Sequence, residues 1–125
     1  MLEKAHHIAI ICSDHQRSLE FYVEKLGFSL LRDQWREEQG DWLTMVQKGG
    51  IVLELFTKPD APQRVTQPEA LGLRHLAFHV DNVEEAAAWL SARGIETEPI
   101  REDRINGRRM TFFRDPDGLP LELHE

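Results

Sequence analysis

The sequence predicts an α+β fold made of two βαβββ modules within one chain of 125 residues. Three observations support this prediction. Two apolar segments share the pattern His, large apolar residue, Ala, large apolar residue, and they begin at His7 and His75, 68 positions apart. Each is followed by a helical stripe that ends near a glycine and then by three strand-like segments. In each half a glutamate lies 47 positions after the histidine, at Glu54 and Glu122.

The first half contains signals for one helix and four strands. After the apolar segment at His7, the side chains of Ser13 and Asp14 can accept hydrogen bonds from the first turn of a helix. The helix carries an apolar stripe and reaches Gly27, where a left-handed C-terminal cap costs little. The stripe consists of Leu19, Tyr22, Val23 and Leu26. The strands are then expected at residues 29–35, 42–47 and 51–56.

The second half repeats this order. Asp81 and Asn82 begin the helix, and Glu84 lies three residues after Asp81, which resembles a capping box. An apolar stripe leads to Gly94, and strands are expected at 96–101, 109–114 and 119–123. We therefore expect one domain over residues 1–125, with module one at 1–56, a proline-containing linker at 57–72 and module two at 73–125.

The repeat predicts a shared chemistry for the two histidines and the two glutamates. Side chains alternate between the faces of a strand, so His7 and His75 point away from their apolar neighbours. Glu54 and Glu122 each lie between two leucines or other apolar residues, where a carboxylate is costly unless it is paired or bound to a metal. Two imidazoles and two carboxylates suit one divalent ion such as Ni²⁺, Co²⁺, Zn²⁺ or Fe²⁺. The alternative is four ordinary residues at sheet ends, and their matched spacing favours the metal.

Composition and charge exclude several other classes. The chain has 15 basic and 22 acidic residues and a net charge of −7, which argues against a nucleic-acid partner. No apolar segment has the length of a membrane span, and the N-terminal residues lack the pattern of a signal peptide. The single cysteine, Cys12, cannot form an intrachain disulfide. We expect a cytoplasmic protein whose partner is a small-molecule substrate.

Five short motifs resemble the vicinal oxygen chelate superfamily, also called the glyoxalase/bleomycin resistance/dioxygenase group. They are HIAI at 7–10, SLEFY at 18–22 with LGF at 26–28, LEL at 53–55, HLAF at 75–78, and DPDG at 115–118 followed by Glu122. The resemblance covers nearly the whole chain, and it is nearest to short proteins similar to lactoylglutathione lyases. It implies paired βαβββ modules whose sheets curve around a metal cleft, and a homodimer.

The resemblance also implies roles for individual residues. Lactoylglutathione lyases use a His, Glu, His, Glu metal set, which falls here on His7, Glu54, His75 and Glu122. Extradiol dioxygenases of the superfamily have no ligand at the position of Glu54. The implied function is therefore a divalent-metal-dependent glyoxalase-I-like lyase or isomerase. It would act through an enediolate on a small 2-oxoaldehyde or its thiol adduct, with Glu122 as the base and Glu54 as its counterpart.

Two departures from the lyase pattern keep other functions open. Ile11 replaces an arginine that binds the glutathione carboxylate, and Lys58 replaces an asparagine, so glutathione-dependent turnover is expected to be weak or absent. The alternatives are an epimerase, thiol transferase or dioxygenase of the same superfamily, or a non-catalytic resistance protein that binds a small molecule. Residues 36–41 are expected to form a solvated hairpin loop and His124 to lie at the surface. Three arginines lie in segments expected to border the cleft, and one of them is a candidate to bind a substrate carboxylate, namely Arg36, Arg108 or Arg109.

Overall fold

The computed structural model describes residues 1–125, and the chain divides into two units, Met1–Pro62 and Gln63–Glu125. Each unit has four strands and one helical region. The first unit contains β1 (Ile8–Cys12), α1 (His15–Leu19), β2 (Ser29–Arg36), β3 (Asp41–Lys48) and β4 (Ile51–Thr57). The second contains β5 (Leu76–His79), α2 (Val83–Ser91), β6 (Arg101–Glu102), β7 (Arg109–Arg114) and β8 (Pro120–His124). The α+β class and the two βαβββ modules predicted from the sequence are confirmed.

The two sheets have the same topology. Their strand orders are β1-β4-β3-β2 and β5-β8-β7-β6. In each sheet the first strand pairs parallel to the last one, and the remaining neighbours are antiparallel. A parallel pair needs a crossover, and the three elements between first and last strand supply it. The fourth strand of each module therefore lies beside the first, which brings the segments with the glutamates next to the segments with the histidines.

The first sheet buries one face. Ile10, Cys12, Leu53, Leu55 and Val46 are all buried, and register pairs Ile10 with Leu55 and Val46 with Leu53. The helical region covers this face, since the ring of His15 stacks on Trp42 at 4.1 Å and Tyr22 is fully buried. Cys12 is a small residue of this core, with 1% of its surface exposed. The opposite face carries His7, Ala9 and Glu54, and it is the face available for chemistry.

The first helical region differs from the expected regular helix. After α1 the chain continues as a π-helical segment, Glu20–Lys25, and the Leu26 N–H bonds the carbonyl of Phe21 at 2.9 Å. The wider turn rotates the buried face, so Phe21 is buried while Val23 is only half-buried. Of the expected stripe, Tyr22 and Leu26 are buried and Leu19 and Val23 are only half-buried, whereas the buried Phe21 was not part of it. The segment ends as expected at Gly27, which has a φ of 78°.

The second helix begins one residue later than the capping box predicted. The Asn82 side chain accepts a hydrogen bond from the Glu85 N–H at 2.9 Å, which makes Asn82 the N-cap instead of Asp81. Val83 and Leu90 are buried, as the stripe predicted. In the first unit, Asp14 caps α1 through the Arg17 N–H at 2.8 Å.

The strand expected at 96–101 is largely absent. Only Arg101–Glu102 pairs with β7. The preceding residues follow β7 through two isolated hydrogen bonds, one from the Glu98 N–H to the Phe112 carbonyl and one from the Thr111 hydroxyl to the Glu98 carbonyl. Side-chain bonding thus replaces part of the ladder.

The solvated hairpin loop expected at 36–41 is confirmed for residues 37–40, which form an exposed turn, but it is wrong at its two ends. Arg36 ends β2, Asp41 begins β3, and the two residues are paired in register. The Asp41 carboxylate is only 2% exposed and accepts two hydrogen bonds from Arg36 and one from Lys58, each 2.7–2.8 Å long. A run of charged residues is usually exposed to solvent, but here oppositely charged side chains pair across the hairpin.

None of the helices has the length and the hydropathy that a membrane-spanning segment needs.

Candidate metal centre

The first unit places His7 beside Glu54. Glu54 on β4 is paired with Ala9 on β1, and His7 lies two residues before Ala9 on the same face. The distance from His7 Nε2 to Glu54 Oε1 is 3.6 Å. The Glu54 side chain is 17% exposed and that of His7 is 37% exposed, so both remain open to a small ligand.

The second unit repeats this arrangement with His75 and Glu122. Glu122 on β8 is paired with Ala77 on β5, and His75 lies two residues before Ala77. His75 Nε2 lies 2.8 Å from Glu122 Oε2, and the Glu122 side chain is only 7% exposed. Phe112 on β7 is paired with Glu122 on the side opposite β5. Its ring meets the His75 ring edge-on, with 5.1 Å between the two ring centres. This contact fixes the orientation of the imidazole.

An alanine beside each glutamate keeps the carboxylate accessible. A larger side chain at Ala9 or Ala77 would stand next to the carboxyl group, because directly paired Cβ atoms in a sheet are about 4.5–5.5 Å apart. The other neighbours are larger, namely Met45 for Glu54 and Phe112 for Glu122. Each glutamate therefore has one open side, which is the side of its histidine.

The donor atoms fit a divalent ion. Each pair presents an imidazole Nε2 and a carboxylate oxygen to the same space, and these are ligand types that Zn²⁺, Ni²⁺, Co²⁺ and Fe²⁺ accept. An imidazole that binds through Nε2 carries its proton on Nδ1. Nδ1 of His7 is 2.9 Å from Nδ1 of His6, which can accept that proton's hydrogen bond. The two rings also meet edge-on, with 5.2 Å between their centres.

At His75 the second nitrogen has a different neighbour. Arg74 Nη1 lies 3.4 Å from His75 Nδ1, and a guanidinium can only donate. This long contact is lost when Nδ1 carries a proton. Arg74 is exposed and already pairs with Glu69, so its guanidinium can turn away at little cost.

The chain contains two His–Glu pairs, but no group of three or more His, Cys, Asp or Glu side chains that could hold a metal ion. His7 with Glu54 and His75 with Glu122 are each brought together within their own unit. A pair supplies only two protein ligands, whereas catalytic zinc sites usually have three.

A positively charged group lies on the same face as Glu54. The guanidinium carbon of Arg36 is 4.9 Å from the centre of the Phe56 ring, two residues beyond Glu54. Hydrogen bonds from Arg36 and Lys58 hold the pKa of the Asp41 carboxyl far below its usual range. The hydrogen bond to Asp41 in turn raises the pKa of Arg36, and Glu54 adds to this effect through its charge. Arg36, one of the arginines expected to border the cleft, is thus fixed near Glu54.

Two other histidines contrast in their surroundings. The His79 side chain is 75% exposed, and its Nε2 lies 3.6 Å from a carboxylate oxygen of Asp81. His124 is only 21% exposed, and its Nε2 is 3.1 Å from Asp103. That hydrogen bond, followed by one to the Glu125 carbonyl, raises the pKa of His124. The expected surface role of His124 is therefore wrong, because the 103–108 turn folds back onto the end of β8.

The second unit also contains a cavity of about 680 Å³ beside His75. It lies between residues 64–70, before β5, and the strands that carry Phe112 and Arg114. Sequence reasoning did not find it, since its wall is the segment assigned as a linker. The arginines at 64, 101 and 114 were the available signal, but they are far apart in sequence.

Comparison with known proteins places this architecture in a family. The model of the Glyoxalase/Bleomycin resistance protein/Dioxygenase superfamily matches residues 4–123. The uncharacterized protein YwkD of Bacillus subtilis (strain 168) is 55% identical, over 100% of this chain and 98% of the relative. The 2-epi-5-epi-valiolone epimerase of an Actinomyces species is 31% identical, over 94% of this chain and 76% of the relative.

A solved structure agrees closely with the fold. The crystal structure of a glyoxalase family protein from Enterococcus faecalis has a TM-score of 0.95 and 53% sequence identity, with 98% of each chain covered. The range matched by the family model includes the histidine and glutamate segments of both modules. The chain therefore belongs to the glyoxalase/bleomycin resistance protein/dioxygenase superfamily.

Proposed function

We propose that this protein is a divalent-metal-dependent lyase or isomerase that moves a proton between neighbouring carbon atoms of a small 2-oxoaldehyde or its thiol adduct. The observation that carries the proposal is the repeated His–Glu pair. Both modules place an imidazole Nε2 within 3.6 Å of a carboxylate oxygen, and both place an alanine beside the glutamate. The family membership supports it, because named relatives include enzymes such as the valiolone epimerase.

The residues take distinct roles in this proposal. His7, Glu54, His75 and Glu122 would hold the metal. A bound divalent ion supplies positive charge that stabilises the anion left by proton loss. The Glu122 carboxylate takes the proton from one carbon and returns it to the next. Its low exposure of 7% limits competition from water, and Glu54, at 17%, is its counterpart in the other module.

We further propose that one site takes its two pairs from two copies of the chain. Each pair supplies two ligands, and the chain forms no larger ligand group. A homodimer in which His7 and Glu54 of one copy meet His75 and Glu122 of the other would give four ligands. Ile11, an exposed apolar residue on the face of the first sheet that carries Glu54, would then be covered by the second copy.

A mixing experiment tests the shared site. His7→Ala and His75→Ala chains, each with a different tag, are co-expressed, and the mixed dimer is purified through both tags. If each site uses both chains, one of its two sites loses both histidines and the other keeps all four ligands. The mixed dimer should then bind about half the wild-type metal, while each pure variant binds little. Absence of binding in the mixed dimer would contradict a shared site.

The reaction itself is tested by metal analysis and proton exchange. Purified protein is analysed for metal and then incubated in deuterated water with 2-oxoaldehydes, with and without a thiol. Deuterium incorporation without oxygen consumption supports the lyase or isomerase. Oxygen uptake with iron would instead identify a dioxygenase, and tight binding without turnover would identify a sequestering protein. A second enzyme candidate, an epimerase, is favoured by the 31% identical relative and would also exchange a proton.

A further inference from the structure

The cavity of the second unit has a specific charge pattern. It measures about 680 Å³, and His75 lies on its wall. Four arginines line it, at positions 64, 74, 101 and 114, together with two glutamates, Glu69 and Glu98. The lining is thus formally positive in a protein whose net charge is −7. A cationic cavity in an acidic protein concentrates anions at that point.

The two glutamates neutralise only part of this charge. Glu98 Oε1 is 3.2 Å from Arg101 and its Oε2 is 2.9 Å from Arg114, so one carboxylate is shared by two guanidinium groups. Glu69 pairs with Arg74. Arg101 and Arg114 are thus held beside Glu98, and one positive charge remains in the Arg101–Glu98–Arg114 group.

Arg64 has no acidic partner. Its Nη2 donates to the carbonyls of Leu73 at 2.9 Å and Arg74 at 2.7 Å, the two residues directly before His75. Neutral carbonyls orient the guanidinium without cancelling its charge. Nε and Nη1 make no hydrogen bond within the chain, so they are available to a ligand. Arginine donors of this kind match the geometry of carboxylate and phosphate oxygens.

The cavity also offers an apolar wall. This wall is the ring of Phe112. The guanidinium carbon of Arg101 lies 5.3 Å from the centre of the Phe112 ring, and the His75 ring meets the Phe112 ring edge-on. A ligand there would place its carbon atoms on Phe112 and its anionic group toward Arg64.

We propose that this cavity is the binding site for an anionic group of the substrate, a carboxylate or a phosphate-type group, with Arg64 as the residue that anchors it. This inference rests on the proposed function in one respect, that His75 belongs to the reaction site. It narrows the substrate class to a small organic acid or phosphorylated compound whose reacting carbons lie near His75. The residues 64–70 are then a wall of the substrate site and a determinant of specificity.

Binding of simple anions to the metal-free protein tests the proposal. Malonate and inorganic phosphate represent the two anion types, and dihydroxyacetone is a neutral probe of similar size. Titration calorimetry measures affinity for wild type, Arg64→Gln and Arg93→Gln. Arg93 is the matched control, since it is also an exposed arginine of the second unit and stacks on Trp89 at 3.8 Å, outside the cavity.

The expected result is anion binding that depends on Arg64. Arg64→Gln should weaken the affinity for the anion by roughly tenfold, the order expected from loss of one charge-assisted hydrogen-bonding group. Arg93→Gln should change this affinity less than twofold, and Arg64→Lys should recover part of the affinity lost in Arg64→Gln. Whichever of malonate and phosphate binds more tightly identifies the anion type. Circular dichroism checks that the variants remain folded.

Three outcomes would overturn the proposal. They are equal affinity in Arg64→Gln and Arg93→Gln, equal binding of dihydroxyacetone and malonate, and no anion binding by wild type. None of them affects the metal and proton-exchange results, which test the proposed function separately. Conversely, a protein that binds malonate through Arg64 but holds no metal would keep the anion site and refute the lyase.

Discussion

At the scale of single residues, the two glutamates differ in their surroundings although the repeat makes them equivalent. Glu122 is 2.8 Å from His75 and nearly buried, whereas Glu54 is 3.6 Å from His7 and more exposed. The difference in exposure follows from the residue paired with each glutamate on the adjacent antiparallel strand. That residue is Phe112 for Glu122 and the smaller Met45 for Glu54. In the proposed reaction this difference favours Glu122 as the base, since its carboxylate already contacts His75 and is shielded from water.

We therefore predict that Glu122→Gln removes proton transfer without unfolding the protein. The amide keeps the shape of the side chain but cannot accept the proton, and the exchange rate should fall by roughly 10²- to 10⁴-fold. Deuterium incorporation and circular dichroism measure the two effects. Glu85→Gln is the control, since Glu85 is an exposed residue of α2. Full exchange activity in Glu122→Gln would refute the assignment.

Ile11 leads to a second prediction at this scale. It is 49% exposed and is paired with Phe56 on the face of Glu54, so an apolar side chain stands where a glutathione carboxylate would need a cation. Turnover of the methylglyoxal–glutathione adduct should be weak in wild type. Ile11→Arg should raise kcat/KM for this adduct and leave thiol-free 2-oxoaldehydes unchanged. Efficient wild-type turnover would show that another cation, such as Arg36, binds the carboxylate.

At the scale of secondary-structure elements, the ends of strands and helices explain most of what the sequence did and did not predict. The strand 109–114 was predicted to the residue, because its apolar residues lie between a glycine–arginine turn and the DPDG turn. β6 was overestimated, since the Thr111 hydroxyl bonds the Glu98 carbonyl and replaces a ladder contact. Such side-chain bonds depend on tertiary position and leave no periodic signal.

The same limit applies to the candidate site. The pairs His7–Glu54 and His75–Glu122 could be predicted, because strand alternation and equal spacing determine which side chains share a face. The Asp103–His124 contact and the cavity near Arg64 could not. Both depend on how a turn or connection folds back on a sheet. The π-helical turn that buries Phe21 was missed for a related reason, since it breaks the regular period of 3.6 residues.

The β2–β3 hairpin gives a prediction about acid stability. The Asp41 pKa is lowered by Arg36 and then Lys58, so its charged form stabilises the folded state above its ordinary pKa of 3.8. That contribution is lost as the pH falls below about 4 toward the lower folded-state pKa. Asp41→Asn should therefore lower the free energy of unfolding at pH 7, and its difference from wild type should shrink below pH 4.

Urea unfolding between pH 2.5 and 7 measures this dependence. Asp60→Asn is the control, because Asp60 is an exposed turn residue of the same unit with no ion pair. A difference between wild type and Asp41→Asn that stays constant across this range would mean that the Asp41 pKa is not lowered.

The end of the π-helical segment gives a prediction about a glycine. Gly27 has a φ of 78°, and an added Cβ would lie 3.1 Å from Lys48 Nζ. Gly27→Ala should cost about 1–2 kcal/mol of stability, the usual penalty for a left-handed non-glycine residue. Gly50→Ala should have little effect, since that residue has no positive φ and no atom within 4 Å of the added Cβ. Equal urea midpoints for the two variants would contradict this reasoning.

At the scale of the whole molecule, the buried core of each unit is separate from the candidate metal ligands. Each unit has its own buried residues on the helix-covered face, such as Tyr22 and Leu53 in the first and Val83 and Leu121 in the second, all 0% exposed. The candidate ligands lie on the other face or at its edge. Burial of apolar surface therefore already stabilises the sheets, unlike small zinc domains, in which the metal supplies the folding energy.

We therefore predict that metal removal changes stability but not structure. After chelation, the far-ultraviolet circular dichroism spectrum should stay the same. Added metal should raise Tm in a concentration-dependent way, because a ligand at 100 times its Kd stabilises the folded state by about 2.7 kcal/mol. His75→Ala should fold like wild type but lose most of this increase, since it removes one imidazole donor. If the chelated protein unfolds, or if His75→Ala keeps the full rise in Tm, then the metal acts on the structure in another way than through His75 and its partner Glu122.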